Sequence, residues 1–213
     1  MRRKLLIFDM DGVLVNSEVY HTEACEELLR EAAGKPVDTR AFHIPGIDTD
    51  ELYRIGLEKA GCTGDPKLLS RLHFERTLEL VKKHAPDPDP DLIRMLEDPR
   101  IRERTCYVAS SSPRSFVEAV LDLYGIRGFF ERVLTGDDVE HLKPAPDIYL
   151  LALSVSGFCA EEAAAVEDSR TGSLAAAAAG IACIGYRNPT SGEQDLSACF
   201  EQVDRLTQIP GLI

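Results

Sequence analysis

Short, uninterrupted apolar runs alternate along this chain with longer stretches in which apolar residues recur at helical spacing. The first run, Leu5-Leu6-Ile7-Phe8, stops at Asp9-Met10-Asp11-Gly12. It reads as a strand buried on both faces and ending in a turn, with Gly12 supplying the backbone freedom for the exit. The pattern then becomes helical for about seventy residues. Ser17 is placed to cap a helix that runs through Val19, Ala24, Leu28 and Leu29 to Gly34, with Glu18 and Glu23 early, where the helix dipole favours acids. Pro36, Pro45 and Gly46 interrupt, and further helices are expected over 50–60 and 66–83. The block, residues 16–85, reads as a helical subdomain inserted into a domain formed by 1–15 and 86–213 and standing over the two carboxylates.

Pro86-Asp87-Pro88-Asp89-Pro90-Asp91 cannot continue a helix and favours extended backbone, so it reads as a semi-rigid connector. A short helix over 92–97 follows. Four more strands are expected, over 105–109, 132–135, 163–166 and 181–185. Between them lie a helix with Pro113 in its first turn that stops at Gly125, one from Asp147 to Ser156, and one over 172–179. The alanines 175–179 suggest close packing of that last helix against a sheet. Strands alternating with helices at this spacing specify an α/β fold, a doubly wound parallel sheet.

Composition narrows the partners. The net charge of -12 opposes sequence-independent binding to nucleic acid or to an anionic membrane, since either needs a basic patch. Met1-Arg2-Arg3-Lys4 imitates the start of a secretory signal, but the four apolar residues after it fall short of the roughly 7 to 15 such a segment needs. No run is long enough to span a bilayer. The six cysteines form no C-x-x-C pair, so reduced, mostly buried thiols in a cytoplasmic protein are expected, and no zinc site.

The chemistry lies where the strands end. Parallel strands bring their C-terminal ends to one rim, and that rim would collect Asp9, Asp11, Ser110, Lys143, Glu167 and Asp168. Each alone has a plain structural reading: Asp11-Gly12 as a turn, Ser110 as a helix cap, Lys143 as a solvated charge, Glu167-Asp168 as loop acids. Together they are what phosphoryl transfer requires. An Asp can attack phosphorus while a second Asp close by handles the proton. Two carboxylates so near each other repel, which calls for a divalent cation or a shared proton. Asp9, Asp168 and the Asp11 backbone carbonyl would offer oxygen ligands to Mg²⁺, with Glu167 acting through a water. Ser110 and Lys143 would hold the phosphoryl oxygens.

The ordered motifs Phe8-Asp9-Met10-Asp11-Gly12-Val13, Val108-Ala109-Ser110, Lys143-Pro144-Ala145-Pro146-Asp147 and Val166-Glu167-Asp168-Ser169-Arg170-Thr171-Gly172 cover nearly the whole chain. In these the chain resembles the haloacid dehalogenase superfamily of hydrolases. The resemblance implies a Rossmann-like core, an inserted mobile helical cap domain, an aspartyl-phosphate on Asp9 and general acid/base work by Asp11. It is strongest for the branch of sugar-phosphate phosphatases and β-phosphoglucomutase. The acid at position 11 separates this chain from the dehalogenases, which lack one there, and from phosphonate hydrolases, which usually carry Ala. His21 stands where the mutase-like branch has a cap histidine, and is either a substrate contact or a histidine of the cap interface. That branch also has an Arg after its cap-loop Gly and a Lys after the motif II Ser; here Gly46 is followed by Ile47-Asp48-Thr49, and the serines by Pro113.

The resulting expectation is a Mg²⁺-dependent phosphatase acting on a small phosphorylated metabolite, a sugar phosphate, as a monomer or dimer. Asp9, Asp11, Ser110 and Lys143 would be catalytic. Ser110, Ser111, Lys143, Gly46 and His21 would bind substrate, and Asp9, Asp11, Asp168 and Glu167 the metal. The alternatives are a phosphosugar mutase and a non-catalytic binding protein on the same fold.

Overall fold

The computed structural model describes residues 3–39, 48–85 and 87–213. Pro45, Gly46 and Pro86, which the sequence reading singles out, lie outside them. Two compact units result: Met1–Asn16 with Asp87–Ile213, and Ser17–Pro86.

The first unit is built on a parallel sheet of six strands: β1 (Leu5–Phe8), β2 (Thr105–Ala109), β3 (Arg132–Leu134), β4 (Ala163–Glu167), β5 (Ala182–Tyr186) and β6 (Glu201–Val203). Their order across the sheet is β3-β2-β1-β4-β5-β6, the doubly wound arrangement that reverses direction at β1. Leu5 is in register with Thr105 on one side and Ala163 on the other. All four residues of β1 are buried, as a central parallel strand covered on both faces must be. Successive side chains point to opposite faces. Leu5 and Ile7 join Tyr107, Ala109, Ala163 and Ala165 in a core layer with Ile148, Tyr149 and Ala152 of a helix over Asp147–Ser156, while Phe8 meets Phe130 edge-on at 5.9 Å. Ala175, Ala176 and Ala179 pack into the same layer; Ala177 and Ala178 are exposed, so the alanine run packs on one side.

The second unit comprises α1 (Glu18–Ala33), α2 (Thr49–Ala60) and α3 (Pro66–His84). Their apolar stripes close on a core of Cys25, Leu28, Leu29, Leu52, Tyr53 and Leu57. Gly34 and Gly61 end α1 and α2 in the left-handed conformation glycine tolerates, with φ of 64° and 67°. Ser17 does stand at the N-cap of α1, but its backbone is helical and its hydroxyl makes no capping bond, so the expected cap is absent.

Other differences from expectation have local causes. The helix expected over 92–97 begins earlier, as α4 (Pro90–Glu97), because Asp89 accepts from Asp91 N and Pro90 takes the first helical position, which needs no N–H. A further turn, α5 (Pro99–Arg102), repeats the device with Asp98 and Pro99. Pro113 is the N-cap of α6 (Arg114–Leu123) and stands outside its first turn. The Asp147–Ser156 helix is α7, and α8 (Arg170–Ala178) starts two residues before the expected Gly172, because the Ser169 hydroxyl accepts from Gly172 N. Among the described residues six strands replace the five expected. All six cysteines are free; Cys25, Cys106 and Cys183 are buried, whereas Cys159 is exposed. Among the described residues no helix is long and apolar enough to cross a membrane.

Candidate active site

β1 and β4 are neighbours at the point where the sheet reverses direction, so the residues leaving them share one stretch of its C-terminal edge. Asp9 N still donates to Val166 O, 3.0 Å away, which fixes the Asp9 backbone beside β4. Beyond it the chain folds into a tight turn, Leu14 N and Val15 N both donating to Met10 O, at 2.8 and 3.0 Å. Gly12 has a φ of 83° in this turn and lies against Asp168: a Cβ there would sit 1.8 Å from Asp168 Oδ2. A residue without a side chain is therefore what lets the β1 and β4 exits approach so closely.

Lys143, in the loop before α7, ties three elements together. Its Nζ donates to Asp9 Oδ1 at 2.5 Å, to Glu167 Oε1 at 2.6 Å and to the Ala109 carbonyl at the end of β2 at 2.8 Å. The side chain is only 6% exposed. Burial opposes its charge, but Asp9 and Glu167 outweigh that and raise its pKa above the ordinary lysine value, so Lys143 is a fixed cation. Glu167, fully buried, also accepts the Tyr149 hydroxyl at 2.5 Å, and the Lys143 ammonium lies 5.3 Å from the centre of the Tyr149 ring. Burial and then Glu167 push the Tyr149 hydroxyl well above its usual pKa, which keeps it a donor.

Asp9 has the opposite problem. Burial first, then Glu167, Asp168 and Asp11, push its carboxyl well above the ordinary range, against the pull of Lys143. The cluster thus carries more negative charge than Lys143 balances, the condition that favours a bound cation. One carboxylate oxygen from each of Asp9, Glu167 and Asp168 lies within 4.8 Å of the others, and all three residues are buried. An all-oxygen donor set suits a hard divalent ion and not zinc or copper.

Asp11 points to the other side of the turn. Its Oδ2 accepts Ser112 Oγ at 2.7 Å and Ser110 Oγ at 3.4 Å, and Ser110 Oγ accepts Ser112 N at 3.0 Å. The hydroxyls that engage Asp11 are thus those of Ser110 and Ser112, while the Ser111 carbonyl packs against Gly136, where a Cβ would lie 2.4 Å from it. Asp9, Glu167, Asp168 and Lys143 therefore form one group, with Asp11 and the serines beside it.

His21, on α1, is buried within the helical unit: its Nδ1 shares a hydrogen bond with His73 Nε2 at 2.9 Å, and His73 Nδ1 meets the Tyr53 hydroxyl at 2.9 Å. Gly46 lies outside the described residues.

Sequence reasoning missed four residues here: Ser112, Tyr149, Asn188 and Ser191. Ser112 stood in plain view in a run of three serines, but the place of Ser110 directly after the strand drew the assignment. Tyr149 reads as one more apolar residue of a helix. Asn188, whose Nδ2 donates to Gly12 O at 2.8 Å, and Ser191, whose hydroxyl donates to Asp168 Oδ2, come from the segment after β5 and carry no local signal.

The model of the haloacid dehalogenase-like hydrolases matches residues 6–186. Fructose-1-phosphate phosphatase YqaB of Escherichia coli is 31% identical over 184 residues, 85% of this chain and 95% of that protein. Phosphorylated carbohydrates phosphatase of Thermotoga maritima is 31% identical over 187 residues, 83% of this chain and 81% of its own length. The crystal structure of CbbY from Rhodobacter sphaeroides in complex with phosphate superposes with a TM-score of 0.81 at 24% identity, covering 97% of this chain and 96% of that one, a likeness of fold.

Proposed function

The chain belongs to the haloacid dehalogenase-like hydrolase family and is a phosphoric monoester hydrolase; on that premise we propose that it hydrolyses a small phosphorylated metabolite, a sugar phosphate, through an aspartyl-phosphate on Asp9. The observation that carries this reading is the convergence of Lys143 on Asp9 and Glu167 at the end of β1, with Asp168 beside them and Asp11 held by a separate pair of serines. One carboxylate is thereby set among charges at the rim, and the other is oriented next to it by neutral donors.

In the first step an Asp9 oxygen attacks phosphorus, the bond from phosphorus to the ester oxygen breaks, and Asp11 gives its proton to the leaving alkoxide. In the second a water attacks the phosphorus of the acyl phosphate and Asp11 takes the water's proton. The bond to Asp9 then breaks, releasing inorganic phosphate and restoring both carboxyl groups. Ser110 and Lys143 bind phosphoryl oxygens, Lys143 offsetting the repulsion between an anionic nucleophile and an anionic substrate. Asp9, Glu167 and Asp168 are the side chains that would hold Mg²⁺, with the Asp11 carbonyl as a further oxygen donor. When bound, the ion supplies charge neutralisation and orientation for the phosphoryl group.

Water is the favoured final acceptor. A mutase holds a bisphosphate intermediate by both ends and keeps water out, which calls for extra cations. At the two positions where the mutase-like branch carries them this chain has Thr49 and Pro113. The test incubates the protein with β-glucose 1-phosphate, Mg²⁺ and a trace of the 1,6-bisphosphate, while glucose 6-phosphate and free phosphate are followed together. Phosphate is the expected main product, in a reaction lost in chelator and restored by Mg²⁺ but not by Ca²⁺, whose looser coordination misplaces nucleophile and phosphate. Rapid isomerisation with little phosphate released overturns the phosphatase, and full activity in chelator overturns the metal. A panel of phosphorylated metabolites then identifies the substrate.

A further inference from the structure

We propose that the turn after β5 is part of the metal site, with Ser191 the residue that positions the Asp168 carboxylate for the cation; the inference rests on the reading of Asp168 as a metal ligand given above. Ser191 comes 23 residues after Asp168 and outside all four motifs, yet its hydroxyl donates to Asp168 Oδ2, and both residues are buried, at 3% and 4% exposure. The turn is built to hold that hydroxyl in place. Asn188 Oδ1 accepts Thr190 N at 3.0 Å, and Asn188 O accepts Ser191 N at 3.2 Å, which closes the loop on itself. Asn188 Nδ2 donates to Gly12 O at 2.8 Å and to Asn16 Oδ1 at 3.3 Å, which anchors the loop to the turn after β1. Gly12 in turn lies against Asp168. One short loop from the neighbour of β4 therefore grips the exits of both strands that carry the acidic cluster.

The chemistry of the donor explains why a serine suits this place. Asp168 faces the carboxylates of Asp9 and Glu167, and their mutual repulsion would turn a free side chain away whenever the cation leaves. A hydroxyl donates to one carboxylate oxygen and brings no positive charge to compete with the metal. An ammonium in its place would do what Lys143 does for Asp9 and Glu167, and neutralise the ligand. Partners of this kind, one bond beyond the ligand, set the orientation of the ligand and typically govern tenfold to hundredfold in metal affinity.

The experiment compares Mg²⁺ binding by titration calorimetry in the wild-type protein, Ser191→Ala and Ser191→Thr, each below its melting temperature, and measures the Mg²⁺ concentration for half-maximal activity alongside kcat. Ser191→Ala is expected to weaken Mg²⁺ binding by about tenfold to a hundredfold. The activation constant should rise in parallel, with most of kcat recovered at saturating Mg²⁺, and Ser191→Thr, which keeps the hydroxyl, should restore much of the affinity. Should the alanine variant fail to fold, Ser191→Cys keeps the bulk with a weaker donor and is expected to show the same loss in reduced degree. A turn that serves the fold alone would lower the melting temperature of Ser191→Ala and leave the Mg²⁺ affinity of the folded protein unchanged; that result overturns the proposal. Wild-type protein that takes up no Mg²⁺ at all overturns the metal-site reading along with it.

Discussion

Gly172→Ala sets two physical rules against each other. Gly172 is the third residue of α8, its φ is ordinary, and its N–H caps on Ser169 at 3.0 Å, a bond alanine would keep. Helix propensity alone therefore makes the substitution favourable by about 1 kcal/mol. The site dictates the reverse. A Cβ at position 172 would sit 1.9 Å from Glu167 Oε2 and 2.2 Å from Oε1. Glu167 cannot step aside, because Lys143 at 2.6 Å and the Tyr149 hydroxyl at 2.5 Å pin it from the other side. Overpacking costs roughly 1–3 kcal/mol. Losing a buried hydrogen bond to a charged group adds roughly 1.5–3 kcal/mol. After subtracting the propensity gain, the expected net loss is about 3 kcal/mol, or a fall in Tm of roughly 6–12 °C for a chain of this size. Turnover should fall about a hundredfold, since displacing Glu167 also releases one hold on Lys143. The assay pairs thermal unfolding with phosphate release, using Gly128→Ala as control: nothing lies within 4 Å of its added Cβ, and its stability should stay within about 0.5 kcal/mol of wild type. Gly172→Ala melting at or above the wild-type temperature with full turnover would refute the geometry.

Two further outcomes follow from the same cluster. Tyr149→Phe keeps the ring beneath Lys143 but removes the donor to Glu167, so denaturant titration should show a loss of roughly 1.5–3 kcal/mol; an unchanged midpoint would mean that hydrogen bond is not made. Because burial and the surrounding carboxylates raise the Asp9 pKa, the metal-free protein retains a proton over the window between the ordinary carboxylate range and the raised value. In that window ionising Asp9 costs stability as pH rises, and a cation must displace the proton. Mg²⁺ affinity should therefore strengthen with rising pH. Calorimetry in two buffers of different ionisation enthalpy should detect proton release on binding, and identical heats in both would contradict it.

The central strands were legible because buried parallel strands leave unbroken apolar runs, and a strand's end is marked when such a run meets Asp, Ser or Glu; β2, Thr105–Ala109, falls where the sequence places it. β6 was not legible. Glu201-Gln202-Val203 is a short edge strand with one buried side chain, too brief for any periodicity to emerge. The start of α4 was misread for a different reason: Asp89-Pro90 is both a linker-like pair and a good helix start, and only the structure decides which. Within the site, Asp9, Glu167, Asp168 and Lys143 could be gathered from the topology, since Glu167 ends a strand of the sheet and the other three follow strands of it. Ser191 and Asn188 could not, because their partners are set by how one loop folds back across its neighbours, which leaves no spacing to read.

As the proposed nucleophile, Asp9 must accept the phosphoryl group during turnover. Borohydride added during turnover reduces an acyl phosphate to an alcohol, converting a phosphorylated aspartate to homoserine, which peptide mass spectrometry can locate. Homoserine at position 9, formed with substrate and absent without it, is the expected result. Turnover that continues undiminished with no homoserine at position 9, or with homoserine at another aspartate, would contradict it.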